Sequence, residues 1–98
     1  MVLLTNSSRC LLMYSLTLID GEESEVKYFL WKYEAEEEMS LFVLKQLDRV
    51  GAEAFKKLSV IWTQNTSSLS AVENIMLCWE NVLNRPLTWK VVIEEIDG

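Results

Sequence analysis

Apolar side chains recur every three or four positions over much of this chain. The clearest run is Leu69, Val72, Ile75, Met76, Trp79, Val82 and Leu83, which fall on one stripe of a helix. Ser70 followed by Glu73 has the form of a capping box at its start, and Asn84-Arg85-Pro86 stops it, because a proline disfavours the helical region for the residue before it. Upstream, Val43, Leu47, Val50, Ala54, Leu58 and Ile61 hold a second stripe. As a single rod that stretch would run about 40 Å, too long for a small domain, and Gly51 is the natural break. Two helices, near 38–50 and 52–63, are therefore predicted. A helix is also expected from Asp20, capped by Asp20 and Glu23 and carrying Val26, Phe29, Leu30 and Tyr33 on its stripe. Leu11, Leu12, Tyr14, Ser15, Leu18 and Ile19 fit a short helix before it. Trp89, Val92, Ile93 and Ile96 fit another after Thr88, although Val91, Val92 and Ile93 would also suit a strand. The fold class expected from these stripes is all-α, a compact bundle of six antiparallel helices.

Composition supports one folded domain over residues 1–98. The chain is 50% apolar with four Trp, one Pro and three Gly, enough for a core and unlike a disordered chain. Fifteen acids against nine bases give a net charge of −6, so no general attraction for nucleic acid or anionic membranes is expected. There is no His, which removes the commonest general base and metal ligand. The glycines are isolated and form no phosphate-binding loop, and the acids lack calcium-loop spacing. No catalytic residue, cofactor, metal or small-molecule substrate is expected, and the chain is read as a non-enzyme. Cys10 and Cys78 sit in apolar stretches and suit free thiols in a reducing compartment, with a disulfide between them left open. The Arg9–Ile19 segment lacks the flanks of a signal peptide and is too short to span a bilayer, so a cytoplasmic location is expected.

Charge is unevenly spread. Residues 20–38 hold eight acids against Lys27 and Lys32, whereas 45–57 hold Lys45, Arg49, Lys56 and Lys57 against Asp48 and Glu53. Opposite patches of this kind steer and register contacts between copies. Candidate interaction residues are Glu22, Glu23 and Glu25 on one side and Lys45, Arg49, Lys56 and Lys57 on the other. Trp31 joins them because it leaves its helical stripe. An ordinary charged surface is the alternative reading of the same residues.

Two segments carry a resemblance to a known family. Met76-Leu77-Cys78-Trp79-Glu80-Asn81-Val82-Leu83-Asn84-Arg85-Pro86-Leu87-Thr88-Trp89 and the following residues to Ile96 resemble the end of many death domains. In that likeness Leu77 or Met76, Trp79, Thr88, Trp89, Val92, Ile93 and Ile96 fill core places. Glu25-Val26-Lys27-Tyr28-Phe29-Leu30 is similar to the second helix of death effector domains. The death-fold superfamily resemblance implies a six-helix adaptor module that assembles with itself or another helical death-fold domain in cell-death or innate-immune signalling. It implies that the helix-two acids of one copy face the bases of its neighbour. The alternative is a small helical decoy that binds a partner without self-assembling.

Overall fold

Along β1 (Leu12–Asp20) Tyr14, Leu16 and Leu18 alternate with Ser15, Thr17 and Ile19, the two-residue period of a strand with one buried face. This is a computed structural model, and it describes residues 12–97. After β1 come β2 (Glu23–Phe29), α1 (Lys32–Arg49), α2 (Ala52–Gln64), α3 (Ser68–Leu83) and β3 (Trp89–Asp97). The strands form an antiparallel sheet in the order β2-β1-β3. Among the described residues there are thus three helices and three strands, and the expected six-helix, all-α bundle is not the fold.

Each lost helix has a physical reason. Asp20 and Glu23 do not cap a helix; they are register partners across a two-residue turn, Gly21-Glu22. Gly21 has φ +66° and Glu22 does not share a positive φ, the pattern of a type II′ hairpin turn, which favours glycine at its first central position. Beyond the turn Val26 and Tyr28 alternate with Glu25 and Lys27, so the segment likened to a death-effector helix is strand β2. The expected last helix is β3. Its β-branched run Val91-Val92-Ile93 finds in β1 a partner that is remote in sequence, with Leu18 opposite Val91 and Leu16 opposite Ile93.

The helical middle follows its stripes. Ala35, Met39, Val43 and Leu47 are buried on α1 at steps of four, and α1 lies across the sheet. It begins at Lys32, earlier than expected, and ends where Val50 and Gly51 turn the chain; Gly51 takes φ +99° ahead of α2. On α3 the buried face is Ala71, Val72, Ile75 and Trp79. Its cap is Ser67, whose hydroxyl accepts from the Ser70 amide at 3.1 Å, in place of the Ser70–Glu73 box. Asn84 closes α3 in the left-handed conformation, just before Arg85-Pro86.

The core lies between the helices and one sheet face. Leu16, Met39, Val43, Leu58, Val72 and Ile75 are fully enclosed there. Trp89 at the start of β3 joins the two layers. It packs edge-on against Trp79 (5.3 Å between rings, 84°) and against Phe42 (6.1 Å, 69°). The other sheet face carries Val26, Tyr28 and Ile96, all exposed.

Candidate functional site

The charged residues singled out in the sequence do not form one site. Glu22 lies in the hairpin turn, and Glu23 and Glu25 lie on β2 instead of a helix; all three are exposed. Trp31 is the residue preceding α1 and is 60% exposed. Lys45 and Arg49 sit on α1, Lys56 and Lys57 on α2, each exposed. One of these bases is paired within the molecule, with an acid outside the predicted set. Arg49 Nη1 donates to Asp20 Oδ2 at 2.9 Å, and Gln46 Nε2 donates to the same oxygen at 3.3 Å. The Arg49 hydrogen bond, with smaller help from Gln46 and Lys45, holds the Asp20 carboxyl below its ordinary range against the opposing effect of burial. Lys27 meets Glu38 at 3.6 Å, tying β2 to α1. Arg49 is therefore already engaged at the hairpin turn of its own chain.

Arg49 also borders a cleft of about 410 Å³ with Gln46, Arg85, Thr88 and the two packed tryptophans. The indole N–H groups of Trp79 and Trp89 find no hydrogen-bond partner among the described residues, yet both are sealed from solvent and so present no donor to a ligand in that cleft. Among the described residues no three His, Cys, Asp or Glu side chains are grouped to hold a metal ion. Cys78 is half-buried on α3, and its pairing with Cys10 falls outside the described residues.

The sheet edges differ more sharply than the charge patches. Gly21 N–H donates to the Thr88 carbonyl at 2.8 Å, which extends the β1–β3 register by one pair and fixes its hydrogen-bond parity. In an antiparallel ladder bonded and non-bonded pairs alternate. Lys90, Val92 and Glu94 therefore bond to β1, and Trp89, Val91, Ile93 and Glu95 direct their N–H and C=O groups to the outer edge. No described strand covers that edge. On β2 the register places Glu23, Glu25 and Lys27 on the helix-facing side of the sheet, and inward-pointing charges of this kind discourage a further strand. On β3 the corresponding side carries Trp89, Val91 and Ile93, with one charge, Glu95, toward the end of the strand. The β2 edge is thus guarded along its length and the β3 edge only near its end.

Beside β3 runs a groove of about 760 Å³, lined by Glu73, Asn74, Met76 and Leu77 of α3 and by Leu87 and Lys90. Leu77 is 77% exposed. The sequence reading offered Leu77 or Met76 for a core place, but Leu77 leaves the buried stripe Val72-Ile75-Trp79 and faces solvent at the groove. The edge depends on strand order and so had no local signal in the sequence, whereas the departure of Leu77 from its stripe was a usable one. No family model, curated protein or solved structure matches the chain. No helix among the described residues is long and apolar enough to cross a membrane.

Proposed function

We propose that this chain is a non-enzymatic protein-interaction module that binds an extended protein segment along the outer edge of β3. The observation that carries this reading is the contrast between the two edges. β2 has charges along its helix-facing side, whereas β3 offers backbone groups that no described strand pairs, flanked by Val91, Ile93 and the groove at Leu77. Strand addition draws affinity from main-chain hydrogen bonds and selectivity from pockets for alternate side chains. The groove supplies an apolar pocket beside the edge, and exposed Leu77 is its natural contact. A cytoplasmic setting suits the half-buried Cys78 thiol. The cell-death or innate-immune context belonged to the resemblance with helical bundles, and no part of this site draws on it.

Selection of displayed random peptides on the immobilised full chain tests the reading. Peptides of alternating apolar character should be enriched, and their binding should fall at least tenfold in Glu95→Pro and in Leu77→Asp. Proline at position 95 removes an outward N–H while leaving the bonds to β1 in place. Enriched peptides that bind both folded variants as well as the parent, or no enrichment at all, would overturn the assignment.

A further inference from the structure

We infer that the segment received by β3 is β3 of a second copy, paired antiparallel about a two-fold axis through Val92, so that two chains share one six-stranded sheet. This rests on the reading of β3 as the binding edge and adds the identity and register of the partner.

Symmetry and side-chain chemistry select the register. A two-fold axis perpendicular to the sheet keeps the helices of both copies on one face, so every residue must oppose one of its own parity. That leaves registers differing by steps of two. With Val92 opposite Val92 of the second copy, Lys90 opposes Glu94 on the open face, twice by symmetry. On the helix side Val91 opposes Ile93. Lys90 and Glu94 are both exposed, and neither forms an ion pair among the described residues. Moving the axis to Ile93 would set Val92 against Glu94 and Lys90 against Ile96. Moving it to Val91 would set Lys90 against Val92. The Val92 register alone sets Lys90 against Glu94 and also sets Val91 against Ile93, with Trp89 against Glu95 left as its one unlike pair, and opposed pairs are where sheets gain or lose cross-strand energy.

Hydrogen-bond parity is satisfied as well, as it is in every register that opposes residues of like parity. The outward-facing residues are Trp89, Val91, Ile93 and Glu95. In the Val92 register Val91 meets Ile93 and Trp89 meets Glu95, so each outward group meets an outward group. Val92 meets its copy in a non-bonded pair, where side chains come closest and β-branched residues pack well. The same axis places both α3 grooves, with Leu77, on one side of the joined sheet. Because the β2 edge is guarded, assembly stops at two chains. A contact of this kind is isologous, with the same strand presented by both chains.

The test uses sedimentation equilibrium of the full chain from micromolar to millimolar concentration, at low and high salt. The parent should move from one chain to a plateau at two, and Glu95→Pro should remain at one. Lys90→Glu and Glu94→Lys should each self-associate about tenfold more weakly, because each sets like charges opposite one another. Mixed together, the two variants should pair more tightly than either alone, since both cross-strand contacts become attractive. These exposed substitutions keep the test decisive should the proline variant fail to fold. A parent that stays a single chain throughout overturns the inference, as does a mixture that associates no better than its components. If edge-binding peptides are still lost in Glu95→Pro, only the partner's identity falls. A dimer indifferent to Glu95→Pro removes the edge reading as well.

Discussion

Asp20 shows how much one residue ties together. It ends β1, borders the hairpin turn and receives hydrogen bonds from Arg49 and Gln46, so it locks the C-terminal end of α1 to the sheet. Its folded pKa lies below the unfolded value, chiefly because of Arg49. The stabilisation is therefore complete above the unfolded pKa of roughly 4 and is lost as pH falls through the folded value. The Arg49 side chain is largely exposed, so solvent screening limits the pair to about 0.5 kcal/mol. Urea midpoints for Asp20→Asn should be slightly lower than the parent's at pH 7 and converge with them near pH 2. A constant gap across that range would show that ionisation is irrelevant. Next to it, Gly21 holds φ +66° with open space around its missing Cβ, so Gly21→Ala meets backbone strain without a clash. A loss of about 1 kcal/mol in the same titration is expected; no loss would mean the turn relaxes to another form.

The elements differ in how visible they were. α1, α2 and α3 were legible because long stripes such as Val43-Leu47-Leu58 and Val72-Ile75-Trp79 repeat over several turns, and Gly51 marks their break. In β3, Trp89, Val92, Ile93 and Ile96 satisfy the helical period while Trp89, Val91 and Ile93 satisfy the strand period. Over so short a segment periodicity does not discriminate. What decides is pairing with β1, some seventy residues earlier, and no local pattern encodes that. β1 and β2 were more accessible: Tyr14-Ser15-Leu16-Thr17-Leu18 alternates and runs into Asp20-Gly21, a hairpin signal in its own right. The candidate site inherits this ordering, because an open edge exists only once strand order is known. The edge parity has a direct consequence for amide exchange. In dilute protein Lys90, Val92 and Glu94 amides should be protected by β1, while Val91, Ile93 and Glu95 exchange far faster. Uniform protection along β3 at all concentrations would contradict that ladder. At the helix level, Ser67→Ala removes the cap on α3 and should cost about 1 kcal/mol in thermal or urea unfolding. An unchanged midpoint would mean that water serves the Ser70 amide as well.

At the scale of the whole molecule, the sheet and the helices share one core, in which three aromatic rings are the largest side chains to meet across the layers. A chain of this length has only about 5–15 kcal/mol of stability to lose. Trp89 comes from the last strand, Phe42 from the first helix and Trp79 from the third, and their edge-on contacts bind elements that are distant in sequence. Trp89 is 2% exposed and Trp79 3%, so neither can be shortened without opening a cavity between the layers. One shared core of this kind predicts a single cooperative transition, with strand and helix signals lost together. Trp89→Ala should cost about 3–5 kcal/mol, a large share of that stability. Trp89→Phe keeps a ring against Trp79 and Phe42 and should cost less, and it also removes an unpartnered buried N–H. Urea unfolding followed by far-ultraviolet circular dichroism and by fluorescence of the remaining tryptophans would compare the two. Coincident curves, with the alanine midpoint far below the phenylalanine one, are the expected outcome. If the helical signal of Trp89→Ala instead survives while β3 amides exchange freely, the helices form a unit independent of the sheet. The edge of β3 would then be a property of a separable layer, and its availability to a partner would be set by local opening instead of by the fold as a whole.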